Sequence, residues 1–405
     1  MDTSRMLHLK EIGTKEATAL FAQSVQLKEF AQGLYETMEI TLVRNQILDI
    51  VRNQYDIGSI EDAYEIFGGY VNKSFGIYVE KNGKKQEYFI RKYKKGIAEN
   101  EIKFEHALIS CAIENGLDIA AGLIPAKDGN TYVKLIEENG SSKTERFFAI
   151  YEYLDGEDKY TWDNPTLNDE EYASAAEVLA LLHDSTKNFD PMGLERVEPK
   201  IMEFIPTLPE TYKEFAQMGI DNKFHTYYKK NLNEILEEID RVMKLIPDAV
   251  LTKLPMIPIH CDIHPGNLKY KDNKAVGIFD FDWAKIDLRL FDVCEALIYF
   301  CSSWDEETDG RLLLSKCAIF LKYYQDKLSA IDGLEPLSEA ELQYLPDMMS
   351  IVNVYLINWA VSAYYEDPEN LNVFEYRVYL SHHIKLLRYI KRHKLDIAEM
   401  VKTIQ

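Results

Sequence analysis

The stretch Ile259–Trp283, IHCDIHPGNLKYKDNKAVGIFDFDW, decides how the rest of the chain is read. Asp262 is a carboxylate able to accept a proton from a hydroxyl. Asn267 follows five residues later, and Asp280 follows 18 residues after Asp262. Both offer hard oxygen ligands of the kind Mg²⁺ prefers. His260 is placed to brace the loop that carries them. Phosphoryl transfer from a nucleotide asks a protein mainly for positioning and charge neutralisation. This set supplies both.

The local pattern supports that spacing. Met256–His260 reads as a short buried strand, and Pro258 confines it to an edge or a strand start. His264-Pro265-Gly266 is loop chemistry. Leu268–Tyr270 and Ala275–Phe279 read as two strands across a turn at Lys271-Asp272-Asn273-Lys274. Such a hairpin predicts that Asp280 returns beside Asn267. A lone His-x-Asp arises often by chance, and Asp and Asn also serve as plain turn residues. The reading therefore rests on the whole set. His264 is a further catalytic candidate, either contacting a phosphate or satisfied within its own loop.

The 405 residues allow two or three domains, or one bilobed enzyme. Hydrophobic and charged fractions of 46% and 28% are those of a globular protein. The net charge of −21 argues against nucleic acid and anionic membranes as partners. It permits a cationic substrate. The five cysteines form no CxxC pair, so neither a disulfide framework nor a zinc site is expected. The first residues lack a long apolar core and no stretch is apolar enough to span a bilayer. The expectation is a cytoplasmic protein, monomeric or homodimeric.

Residues 1–55 read as a helical extension. One run is Ala17, Leu20, Phe21, Leu27, Phe30 and Leu34. A second is Ile40, Val43, Ile47, Ile50 and Val51. Packing onto the next domain is the expected role of both, with a dimerisation arm as the alternative. Residues 56–155 read as a β-rich lobe with one helix at about 98–115. Two glycines, Gly68 and Gly69, lie between strands, where the backbone approaches phosphates closely. A plain turn is the competing reading. Lys81-Asn82-Gly83-Lys84 reads as a hairpin turn. Arg91 on the next strand is either a phosphate contact or part of a solvated basic edge. Residues 156–405 read as a helical lobe. Capping boxes are expected at Asn168/Glu171 and Ser338/Glu341.

These residues carry a resemblance. The chain resembles the aminoglycoside phosphotransferase and choline kinase superfamily from about Tyr55 to Leu386, most closely its homoserine kinase-like members. Phe67-Gly68-Gly69-Tyr70-Val71-Asn72 is similar to its glycine loop, Phe89-Ile90-Arg91-Lys92-Tyr93 to its phosphate-contacting strand, and Glu105–Gly116 to the paired helix. Ala180-Leu181-Leu182-His183 is similar to a helix signature. His260–Asn267 is similar to the catalytic loop and Ile278–Asp282 to the metal motif. The resemblance implies an α+β, bilobed, protein-kinase-like fold. It implies an ATP- and Mg²⁺-dependent kinase acting on the hydroxyl of a small molecule, with Asp262 as base and Asn267 and Asp280 on the metal. Gly68, Gly69, Asn72, Arg91 supported by Glu105, and the backbone of Glu152, Tyr153 and Leu154 are the implied nucleotide contacts. Asp292 is implied to brace the loop. Cys261 departs from the family's usual Gly, and Arg91 from a common Lys.

Acidic and aromatic candidates for the substrate wall are Trp283, Glu295, Tyr299, Trp304, Asp305 and Glu306, and Asp282 is a candidate for aiding either the metal or the substrate. Such a wall suits an amine-bearing alcohol through ion pairing and cation–π contact. Core aromatics with surface acids is the competing reading. Homoserine, choline or ethanolamine ranks first as substrate, a sugar 1-kinase second, an aminoglycoside kinase third. A silent nucleotide-binding scaffold is the reading from another class.

Overall fold

The computed structural model describes residues 43–66, 72–139, 142–163 and 166–404. The chain divides into two compact units. One holds the residues up to Gly96 together with Ile124–Tyr153. The other holds Ile97–Leu123 and everything from Leu154 onward.

The first unit is built on a sheet. Its strands are β1 (Ser59–Ile66), β2 (Lys73–Lys81), β3 (Lys84–Lys92), β4 (Leu123–Ile124), β5 (Val133–Asn139) and β6 (Ser142–Glu152). Their order is β1-β2-β3-β6-β4, and β5 also pairs with β6. β1–β2, β2–β3, β3–β6 and β5–β6 are antiparallel. Asn82 and Gly83 both take positive φ, 57° and 74°. That is the backbone a two-residue turn needs to match strand twist, and Asn-Gly is its favoured pair. Alternation places Phe75, Ile77 and Val79 on one face of β2. A helix at 43–54, α1, packs Ile47, Ile50 and Val51 into that same core. The described part of the second N-terminal run, from Val43 on, thus packs onto the sheet, as expected. The first run, at 17–34, and the glycines Gly68 and Gly69 lie outside the described residues.

The second unit is mostly helical. α2 (Glu99–Glu114) ends before Gly116, whose φ is 100°. α2 is grouped here rather than with the sheet. Phe104 meets Phe189 edge-on at 5.5 Å, and Glu101 pairs with Arg196 at 3.5 Å. α3 (Asp169–Thr186) opens on the expected capping box: Asn168 Oδ1 accepts from Glu171 N, and Glu171 Oε2 accepts from Asn168 N. Further helices are α4 (Leu208–Gln217), α5 (Lys223–Val242), α6 (Arg289–Cys301), α7 (Leu314–Ser329), α8 (Glu339–Glu366), α9 (Val373–Arg392) and α10 (Lys394–Lys402). Ser338 and Glu341 cap α8 in the same reciprocal way.

Two small sheets hold the decisive stretch. β7 (Met256–Ile259) pairs with β10 (Lys285–Leu288), a strand the sequence reading did not anticipate. Pro258 lies on this two-stranded sheet, where its missing N–H is tolerated. β8 (Leu268–Lys271) and β9 (Lys274–Ile278) form the expected hairpin, turning through Asp272 and Asn273 at positive φ. α6 follows β10 and buries every residue except Tyr299. A helix apolar and buried all round is a core element. Its one long cation, Arg289, is held by both carboxylate oxygens of Glu341 at 2.8 and 2.5 Å. No helix among the described residues is long and apolar enough to cross a membrane. The five cysteines are free thiols.

Candidate active site

The hairpin closes as its length predicts. Leu268 stands opposite Ile278. One step further, Phe279 N donates to Asn267 O at 3.2 Å. Asn267 and the start of the Asp280 turn are therefore held together. Asn267 Nδ2 donates to Asp262 O at 2.9 Å and to Asp262 Oδ2 at 3.2 Å. These bonds fix the amide's orientation, with its nitrogen toward Asp262. Asp280 takes φ 69° and ψ 59°. A non-glycine residue seldom adopts this conformation, and such strain collects at functional sites.

Asp262 keeps 26% of its side chain accessible. Its carboxyl is pushed well above the usual carboxylate range, first by burial and then by Asp280 and Asp282; the Asn267 amide pulls the other way. Carboxylates that raise one another's proton affinity form a natural seat for a divalent cation. Among the described residues, no three His, Cys, Asp or Glu side chains close into a protein-only metal cage. Mg²⁺ does not need one, since it binds through one or two carboxylates and completes its shell with water and substrate phosphates. The residues present fit that ion.

A pH experiment reads this coupling. At low Mg²⁺ the acid limb of kcat/KM is expected above the ordinary carboxylate range. It should move to lower pH as Mg²⁺ is raised, because added positive charge favours ionised Asp262. A limb that stays fixed as Mg²⁺ is titrated would show that cation and base do not share a site.

The loop is gripped from beneath by α6. Asp292 Oδ2 accepts from His260 N at 2.9 Å, and Oδ1 accepts from Cys261 N at 2.8 Å. One turn on, Glu295 is buried on the same helix, where the nearby Ile263 N–H favours its ionised form. The backbone leading into Asp262 is thus anchored to one buried helix. Asp292 also accepts from His183 Nε2 at 3.0 Å, and His183 Nδ1 meets the Tyr324 hydroxyl at 2.7 Å. Burial pushes the Asp292 carboxyl up, but the His183 hydrogen bond and charge outweigh it, and the group sits below its ordinary value. Glu295 is pushed well above its own by burial and by Asp292 and Asp262.

His260 and His264 are both held within the loop. His260 Nε2 donates to Phe279 O at 3.1 Å, tying the loop to the residue before Asp280. Burial lowers its pKa. His264 Nδ1 accepts from Gly266 N at 3.0 Å, so its other nitrogen carries the proton and faces Asp262 Oδ2 at 3.8 Å. Burial, reinforced by His260, lowers it to about 3. His264 is thus satisfied within its own loop.

Residues 70–329 match the model of the phosphotransferase enzyme family, APH. That span is more than half of the chain. The chain belongs to this family. It is a kinase-like phosphotransferase acting on small molecules. Over 305 residues it is 27% identical to the homoserine kinase of Agrobacterium fabrum (strain C58), covering 74% of this chain and 80% of that one. Its fold matches a microcompartment-associated aminopropanol kinase with a TM-score of 0.61 at 14% identity, over 87% of this chain and 98% of that chain. It also matches spectinomycin phosphotransferase, solved with ADP and spectinomycin, with a TM-score of 0.56 at 16% identity, over 86% and 98%.

The phosphotransferase places the other sequence candidates as follows. Tyr299 meets the His264 ring at 5.4 Å, and its hydroxyl feels the charges of Asp262 and Glu295. Glu295 lies under the loop rather than on an open wall. Trp304 stacks flat on His382 at 3.6 Å. Asp282 contributes its charge beside Asp262, and its carbonyl accepts from Arg196. Trp283 closes the short turn Phe281–Trp283. Asp305 and Glu306 are exposed. Three aromatics that sequence reasoning missed, Trp162, Trp359 and Tyr379, join Tyr299 and Trp304 in one cluster. No short motif could have joined residues so far apart in the chain.

In the first unit, Arg91 is 4% exposed and framed by the rings of Phe89, Tyr93 and Tyr151 at 5.4–5.9 Å. It is not part of a solvated edge. Asn72 Oδ1 accepts from Lys94 N at 2.8 Å, pinning the chain after β3. Glu152 ends β6 opposite Tyr88. In the second unit Glu105 is a buried carboxylate on α2, and Leu154 packs against Gly277 of β9.

Proposed function

We propose that this phosphotransferase moves the γ-phosphoryl group of ATP to the hydroxyl of a small amino alcohol. The observation that carries the reading is the Asp262–Asn267–Asp280 cluster, with one carboxylate raised in proton affinity by its neighbours. Asp262 orients the acceptor hydroxyl and takes its proton as that oxygen bonds to the γ-phosphorus. The bond from phosphorus to the β–γ bridging oxygen breaks, and ADP leaves. Asn267 and Asp280 would hold Mg²⁺, which when bound offsets the charge of the phosphates. Asp292, Glu295 and His260 keep the base in register. Arg91 and Asn72 are the proposed phosphate contacts, and the backbone of Glu152 and Tyr153 is proposed to receive the adenine.

The amino alcohol class is supported by the homoserine kinase relatives and by the aromatic surface that begins at Tyr299. A panel of homoserine, ethanolamine, choline, hexoses and aminoglycosides tests it, with product identified by mass and ATP consumed in equal amount. Turnover of an amino alcohol well above the sugars is the expected result. Turnover of sugars or aminoglycosides alone would move the substrate class. Turnover of none would leave the scaffold reading.

A further inference from the structure

We propose that Trp162 limits the size of acceptor this enzyme takes, by filling an aromatic chamber next to the catalytic loop. The proposal rests on the acceptor reading above and adds its specificity determinant. The Trp162 ring lies 4.5 Å from Tyr379, 5.6 Å from both Trp304 and Trp359, and 6.4 Å from Tyr299. All four contacts are edge-on, at 62–87°. An indole ringed this way stands where a guest would sit in an aromatic cage.

Three of the four walls come from helices, and the occupant does not. Tyr299, Trp359 and Tyr379 are on α6, α8 and α9. Trp304 is stacked on His382 of α9, and His382 is itself held by Asp309 at 2.6 Å and Ser302 at 3.3 Å. Trp162 alone comes from the non-helical stretch before α3. That stretch is tethered just upstream, where Lys159 and Tyr160 both bond Glu171 at 2.5 Å. Its backbone also runs beside the catalytic loop: a Cβ placed on Gly266 would lie 3.5 Å from Trp162 N. Tyr299 joins the two regions, touching Trp162 on one side and His264 on the other. An acceptor whose hydroxyl reaches Asp262 and whose body extends past Tyr299 therefore meets this indole. Short acceptors fit in front of it, and long ones do not.

The test uses full-length Trp162→Ala and Trp162→Phe, with ethanolamine as the short acceptor and kanamycin as the bulky one. The ratio of kcat/KM for kanamycin to that for ethanolamine should rise about 10- to 100-fold in Trp162→Ala, the range a reshaped apolar pocket commands. The change should lie mainly in KM, and Trp162→Phe should fall between. A second readout needs no turnover. Free indole should raise the thermal midpoint of Trp162→Ala and not of the wild type, because an apolar cavity binds the ring it lost. Should Trp162→Ala fail to fold, the ratio in Trp162→Phe decides. Ethanolamine turnover with an unchanged ratio in the variants overturns the proposal and leaves the acceptor reading standing. No turnover of any acceptor by the wild type overturns the acceptor reading, and the size filter with it, whatever indole does.

Discussion

Asp262→Asn is expected to lower kcat by about a hundredfold or more while making the metal-free protein more stable. The first effect follows from chemistry. The amide keeps the shape of the carboxylate and its contact with Asn267, but it cannot take the acceptor's proton, a function worth roughly 10²–10⁴ in rate. On the proposed reading nucleotide affinity should change little, because Asp262 then faces the acceptor rather than the phosphates. The second effect follows from linkage. Burial, Asp280 and Asp282 raise the Asp262 carboxyl above its unfolded value. Its ionised form therefore opposes folding once pH exceeds the ordinary carboxylate range, and fully so above the raised folded value. A neutral side chain removes that penalty. With a chelator at neutral pH, the variant should melt higher than the wild type, and excess Mg²⁺ should narrow the gap. A quarter of the side chain remains accessible, so solvent moderates the gain. Lost turnover with gained stability marks a functional site. Full turnover in the variant would remove Asp262 from its role as base.

Much of this site is legible in the chain because its parts are close in sequence. Asn267 and Asp280 flank one hairpin, with Asp262 in the loop that leads into it, and turn chemistry at Asp272-Asn273 fixes the register that reunites them. The capping boxes at Asn168 and Ser338 are equally local, and both formed. The departure at Cys261 has a structural meaning the sequence could only flag. Its φ is 59°, a left-handed conformation in which glycine is least strained. The chain keeps a Cβ there, with the Cys261 N–H held by Asp292. Long-range features were hidden. β10 is four residues whose partner, β7, is separated from it by the whole catalytic loop. Glu295 reads as a pocket acid until α6 is seen to bury it. The aromatic cluster gathers Trp162, Trp304, Trp359 and Tyr379 from four separate segments, and no periodicity records such a meeting.

Asp292→Asn should damage both stability and turnover, although residue 292 touches no substrate. The carboxylate accepts three hydrogen bonds, one on Oδ1 from Cys261 N and two on Oδ2 from His260 N and His183 Nε2. An amide in its place has one oxygen and one NH₂. Whichever way it turns, its NH₂ faces at least one backbone N–H of the catalytic loop. With the oxygen toward Cys261, the His260 N–H is orphaned; with the oxygen toward His260, the Cys261 N–H is. A buried unpaired donor costs about 1–3 kcal/mol, and the lost charge adds to that. The loop must then shift, and displacement of a reacting group by about 1 Å can cost on the order of 10² in rate. His183→Gln offers the control. It removes one of the three donors but leaves both backbone bonds, so its turnover should stay within a few-fold of wild type. The pH dependence separates the charge from the shape. Asp292 is depressed by His183 and the loop N–H groups, so its contribution is whole above the ordinary carboxylate range and vanishes as pH falls through the lower folded value. The stability gap between wild type and Asp292→Asn should hold steady from neutral pH down to that range and close only below it. A gap that closed near neutrality would mean that some other group supplies the effect, and that α6 does not hold the base through this carboxylate.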